Sequence, residues 1–176
     1  MVVFGLPGTR QKSYKRLSVL GEMLKALEIE EIMDIGSECN APSKLHGIAV
    51  RRVGAMAARD LGNVIAQVKF GFVPHPSFCL AKSGIFAGLC AHGTIPILAE
   101  SFPRETDGLR DGVHLISPRT TAAALAAGLD SYSEAAWDWY SGHRLNVHAA
   151  TYARLLVHRA TGTEAEECAS ARAAGS

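Results

Sequence analysis

Two stretches of this chain carry the residue types that hold phosphate. The first is Gly5-Leu-Pro-Gly-Thr-Arg10, followed by Lys12 and Lys15. Gly5 and Gly8 let a ligand approach the backbone closely, and Arg10, Lys12 and Lys15 supply cations. The second is Leu80-Ala-Lys-Ser-Gly84, which follows an apolar run and opens a helical one. The first amides of a helix lack internal partners and carry partial positive charge, so a helix start attracts anions. Lys82 adds a full cation, Ser83 a hydroxyl and Gly84 room for a phosphate. The structural alternative is that Ser83 only caps the helix, Lys82 is solvated and the first loop is a tight turn beside a basic helix start. Neither stretch is a Walker loop, because no G-K-[ST] is present, and G-x-G-x-x-G is absent too.

Other residues could complete a site. Gly54-Ala-Met56 could wrap a base through backbone groups with Met56 as an apolar wall, or could be a plain strand-to-helix turn. Glu100 is the best candidate to hold sugar hydroxyls, ahead of Glu105 and Asp107. His75 and His92 flank the Leu80–Ala91 helix and read as structural, and His114 reads as core or edge. Trp137, Trp139 and Tyr140 follow an S-x-x-E capping box at Ser131 and Glu134, and packing accounts for them. No Ser–His–Asp signature, nucleophile elbow or metal cluster is visible.

The elements that would position these residues alternate. Met1–Phe4, Ile29–Ile35, Ile48–Val53, Phe70–Val73, Ile95–Leu98 and Val113–Ile116 read as strands. Between them, Leu17, Leu20, Leu24 and Leu27 mark a helix from Ser13, Leu61 to Val68 mark a second, and Leu80–Ala91 a third. Residues 37–47 read as a loop with Asn40, Pro42 and Gly47 as breakers. Thr120–Leu129 and Leu145–Val157 read as later helices. Strands alternating with helices predict an α/β, Rossmann-like three-layer domain with a parallel sheet of about six strands and a helical carboxyl terminus. Such sheets bind ligands at the carboxyl ends of their strands, so both phosphate candidates should face one crevice. The domain is expected over 1–160, with a disordered tail over 161–176.

The 176 residues fit one domain, with 48% hydrophobic and 20% charged residues. The chain is long enough to bury about 70% of its extended surface. A formal net charge of +1 gives no reason to expect nucleic acid or an acidic membrane as partner. No apolar run approaches a membrane span, and no signal peptide is visible at Met1-Val-Val-Phe-Gly. Cysteines at 39, 79, 90 and 168 form no CxxC pair and read as reduced thiols, which points to the cytoplasm.

The stretch Val53-Gly54, Val73-Pro-His-Pro-Ser77, Ala81-Lys-Ser-Gly-Ile-Phe86 and Ala91-His-Gly-Thr-Ile-Pro96 resembles the carboxyl-terminal domain of GT-B glycosyltransferases of the retaining, "group 1" type. The likeness runs over residues 1–158 in order of elements and is specific over about 71–98. It implies a nucleotide-sugar donor as substrate, with no cofactor and no metal. Lys82, Ser83 and Gly84 would hold the diphosphate, Arg10 with Lys12 or Lys15 would reach it from the first loop, and Gly54–Met56 would contact the base. The final helix would pack toward a partner, the amino-terminal acceptor domain, which these 176 residues do not supply.

The chain departs from the family at three places. Aligned on Gly93, the family's two glutamates fall at Leu80 and Gly88. The arginine usual after the first strand's glycine is Leu6, with Arg10 as a displaced substitute. These departures keep two other readings open: a non-catalytic binding or interaction module of the same fold, and half of a sugar-nucleotide epimerase. The epimerase reading requires a carboxylate and a histidine in the crevice.

Overall fold

A computed structural model describes residues 1–102, 105–121, 125 and 128–157. Half of the helix expected over 120–129, part of the charged loop over 103–111 and the whole tail over 161–176 lie outside these residues.

Alternation of side chains sets the layers. In β1 (Val2–Phe4), Val3 points into one core cluster while Val2 and Phe4 point into another. Five strands run parallel: β1, β2 (Glu31–Ile35), β4 (Ile48–Gly54), β5 (Phe70–Val73) and β6 (Ile95–Leu98). The sheet order is β3-β4-β2-β1-β5-β6, with β3 (Lys44–Leu45) antiparallel to β4 on the edge. Both faces of β5 and β6 are buried, which is why these two strands are apolar at every position. The fold is thus α/β and Rossmann-like, with a six-strand, mostly parallel sheet.

The sixth strand is not the expected one. Val113–Ile116 forms no strand; Ile116 alone bridges β6, donating to the Pro96 carbonyl and accepting from Leu98 N–H, both at 2.9 Å. The strand is β3, inside the segment read as a loop. His46 (φ 51) and Gly47 (φ 85) both take left-handed conformations, which makes a two-residue hairpin turn between Leu45 and Ile48. Gly47 therefore turns the chain rather than merely ending an element.

One face is covered by α1 (Pro7–Leu17) and α2 (Gly21–Ala26), whose Tyr14, Leu17 and Leu24 pack with Val3, Ile32 and Phe72. The single helix expected from Ser13 is broken at 18–20 and begins earlier, because Pro7 is pre-set for the first helical position. The other face is covered by α3 (Ala58–Ile65), a 3-10 turn (Ser77–Lys82) and α4 (Gly84–Cys90). Gly71 lets α4 sit close: a Cβ there would lie 2.1 Å from a Leu89 methyl. In α5 (Leu129–Gly142), Trp139 packs edge-on against Phe86 at 5.2 Å and donates through Nε1 to the Asp107 carbonyl. Ser131 is not an N-cap: α5 starts at Leu129, and the Ser131 hydroxyl donates back to the Gly128 carbonyl.

Met1–Tyr140 is one compact unit, and the chain from Ser141 forms a second. In the second, residues 145–157 are helical, and Leu145, Tyr152 and Leu156 are exposed. No helix among the described residues is long and apolar enough to cross a membrane.

Candidate functional site

The chain winds from β1 to β2 and β4 on one side, then returns to β5 and β6 on the other. The direction reverses between β1 and β5. At such a switch point the loops after the two strands diverge and leave a crevice. The two loops meet here: a Cβ on Gly5, after β1, would sit 3.3 Å from Ile85 in the first turn of α4.

Beside this junction is a cavity of about 360 Å³ between α1 and the segment after β5. Thr9, Lys12, Lys15 and Arg16 line it from α1, and Pro74, His75 and Pro76 line it from the other side. Thr9, Lys12 and Arg16 recur at helical spacing, so one stripe of α1 presents them. Glu100, after β6, ties Arg16 to the segment after β5. Its Oε1 accepts the Ser77 N–H at 2.5 Å, and its Oε2 lies 3.5 Å from Arg16 Nη1. Three cations face one carboxylate that is itself engaged, so the crevice carries net positive charge.

His75 is half-buried at this wall. Its Nδ1 lies 2.7 Å from the Ser83 hydroxyl oxygen, which also accepts the Phe86 N–H at 3.1 Å. Burial, with Arg16 and Lys12 nearby, holds the His75 pKa below the ordinary histidine value. Ser83 is the N-cap of α4 and is buried, so its hydroxyl serves the cap and His75. Lys82 ends the 3-10 turn and is exposed. Gly84 and Gly8 are open to approach, with nothing within 4 Å of an added Cβ.

Arg10 takes a different place from Lys12. Its side chain is only 2% exposed and turns toward the end of β2. Nε lies 3.1 Å from Asp34 Oδ1 but off the N–H direction, so the contact is an ion pair without a formed hydrogen bond. Nη2 donates to the Ser37 carbonyl, and Nη1 is buried without a partner among the described residues. Asp34 Oδ2 accepts the Tyr14 hydroxyl at 2.8 Å. This group forms the floor of a second cavity, about 370 Å³, lined also by Gly54, Cys39 and Arg52. Gly54 thus lines the second cavity, whereas Met56 packs against the α3 and α4 core face.

The candidates therefore separate. Lys12, Glu100 and, just beneath the wall, Ser83 gather at the switch point, and Gly8, Lys82 and Gly84 lie on the two segments that frame it. Arg10 and Gly54 gather at the ends of β2 and β4. Arg16 and the crevice role of His75 escaped the sequence reading. Pro7 as a helix start would have placed Arg16 on the stripe of Lys12, and the place of His75 just after the Phe70–Val73 strand put it at the ligand-binding end of the sheet. His92 is remote from it, with Nδ1 2.7 Å from the Gly88 carbonyl and Nε2 against Gly62. His114 accepts the Arg110 N–H at 3.0 Å within its own turn. Among the described residues no group of three or more His, Cys, Asp or Glu side chains is arranged to hold a metal ion. Cys39, Cys79 and Cys90 are free thiols. No protein-family model matches the chain, and no curated protein matches it significantly.

Proposed function

We propose that this chain binds a nucleoside diphosphate sugar through its phosphates at the switch-point crevice, as the donor-binding half of a glycosyltransferase. The observation that carries the reading is the set of Lys12, Lys15 and Arg16 lining a cavity of about 360 Å³ beside His75, with Gly84 open next to it. The resemblance over 71–98 supplies the sugar-nucleotide part of the reading. In the complete enzyme the acceptor hydroxyl oxygen bonds to the anomeric carbon, the carbon–oxygen bond to the diphosphate breaks, and the hydroxyl proton passes to the departing phosphate oxygen and on to solvent. The electron pair stays on the departing phosphate, where fixed cations stabilise it. Leu6 and Phe78 are exposed beside the two loops, and their apolar surface suits a covering acceptor domain.

Calorimetry and NMR titration with UDP and GDP test the binding. The expected result is millimolar or tighter affinity, with shifts at Lys12, Arg16 and Gly84 that vanish in Lys12→Ala/Arg16→Ala. Unperturbed spectra at 10 mM of either nucleotide would sink the proposal.

One observation favours a second reading, a binding module without turnover. Leu80 stands where the family has a glutamate, and it is a fully buried core residue rather than a residue lining the crevice. Sugar release or transfer by the full-length protein supplied with a nucleotide sugar separates the two. Binding with no turnover selects the module.

A further inference from the structure

The contact between His75 and Ser83 fixes more than a loop. The Ser83 oxygen accepts the Phe86 N–H, so one of its lone pairs serves the cap. Among the described residues the partner left for the hydroxyl proton is His75 Nδ1, at 2.7 Å. Ser83 then donates and Nδ1 accepts, which places the ring proton of neutral His75 on Nε2. With Nδ1 turned to buried Ser83, the ring presents its opposite edge to the cavity that it lines. The charged groups around that edge are Lys12, Lys15 and Arg16 on α1 and Glu100 after β6, with Lys82 on the adjoining 3-10 turn.

We propose that His75 is an anion-contacting residue of this crevice, offering Nε2–H to a bound phosphate oxygen, and that anion binding draws a second proton onto the ring. The inference rests on the crevice being an anion site. In the empty crevice the neighbouring cations and burial oppose a charged imidazole, as the lowered pKa reflects. An anion among Lys12, Lys15 and Arg16 offsets that repulsion and adds an acceptor at Nε2. The proton comes from solvent and goes to Nδ1. Ser83 switches from donor to acceptor as its hydroxyl rotates, and its second lone pair is available for this. Because the bound state holds the proton more tightly, anion affinity must rise as pH falls.

Sulfate is the probe, since it keeps both charges across the range of the test. Histidine-detected NMR on the wild-type chain reads the tautomer and the titration directly. The expected results are an Nε2–H tautomer without sulfate and a His75 pKa about one unit higher with saturating sulfate. Sulfate should bind severalfold tighter at pH 5.5 than at pH 8, approaching the roughly tenfold limit that one unit carries only below the pKa of the empty crevice. His75→Gln keeps a donor but cannot titrate, so its sulfate affinity should lose most of this pH slope. An Nδ1–H tautomer, or sulfate shifts at Lys12 and Arg16 with no change in His75 titration, overturns the inference and leaves the anion site standing. Sulfate that perturbs neither α1 nor His75 removes the anion site itself, and the inference with it.

Discussion

Asp34 is bound on three sides at the end of β2. It takes the Tyr14 hydroxyl at 2.8 Å, faces Arg10 at 3.1 Å and lies 3.7 Å from the Cys39 thiol. Burial and the bond to Asp34 push the Tyr14 hydroxyl pKa well above its ordinary value, so Tyr14 remains a donor throughout the working pH range. The Asp34 carboxylate faces the Arg10 guanidinium at a site where both side chains are almost fully buried. Removing one partner of such a pair leaves an uncompensated buried charge, which costs about 3–5 kcal/mol. Asp34→Ala should therefore lower unfolding stability by about that amount in urea titrations at neutral pH. Replacing both partners together, as Arg10→Met/Asp34→Leu, should cost far less. Equal losses in the two variants would mean that Asp34 acts through Tyr14 rather than Arg10. Gly36 belongs to the same group. Its φ of +147° is left-handed territory, and a Cβ there would meet Arg10 Nη1 at 1.9 Å, so only glycine fits.

At the scale of elements, the crevice depends on how closely α4 packs on β5. Gly71 is the gap in the strand that receives Leu89, and both are buried. Gly71→Ala should cost about 1–3 kcal/mol through overpacking, and Leu89→Ala about 2–5 kcal/mol through the cavity left behind. The two should not add: in Gly71→Ala/Leu89→Ala the new methyl enters the vacated space. A double-mutant cycle from denaturant melts checks this, with a favourable coupling of about 1 kcal/mol or more expected. Additive losses would mean that α4 shifts as a body instead. Gly21, the first residue of α2, makes a similar gap. A side chain at Gly21 would meet His46 Nδ1 at 2.7 Å, so the β3–β4 hairpin packs where a side chain there would stand.

At the scale of the whole molecule, charge placement matters more than charge total. A net charge of +1 conceals three cations on one stripe of α1 at the mouth of a half-buried crevice. A ligand bound only to the folded state stabilises it by mass action, by about 1.4 kcal/mol at roughly tenfold excess over Kd, and so raises the melting temperature. UDP or GDP at 10 mM should therefore raise Tm by a few degrees in dilute buffer. Raising salt from about 0.05 to 0.5 M, which shortens the screening length severalfold, should remove most of the gain. A Tm gain that persists in high salt and in Lys12→Ala/Arg16→Ala would place the ligand elsewhere, with the Arg10 and Gly54 cavity the first place to look.

The short-range features of this protein were legible in its sequence. Apolar runs over 70–73 and 95–98 match β5 and β6 residue for residue, because strands buried on both faces must be apolar throughout. Ser83 was legible as a cap, since capping is a contact within one turn. Features settled by distant partners were not. The hairpin at His46-Gly47 depends on β4 as its partner, and Val113–Ile116 fails as a strand because Ile116 alone pairs with β6. Arg10 looked like a loop cation until Asp34 and Ser37 were brought beside it. His75 looked structural until α1 was brought against the segment after β5. Periodicity and composition determine which segments become strands and helices. Which side chains share a crevice depends on strand order, and a parallel sheet sets that order by contacts that no local window of sequence contains.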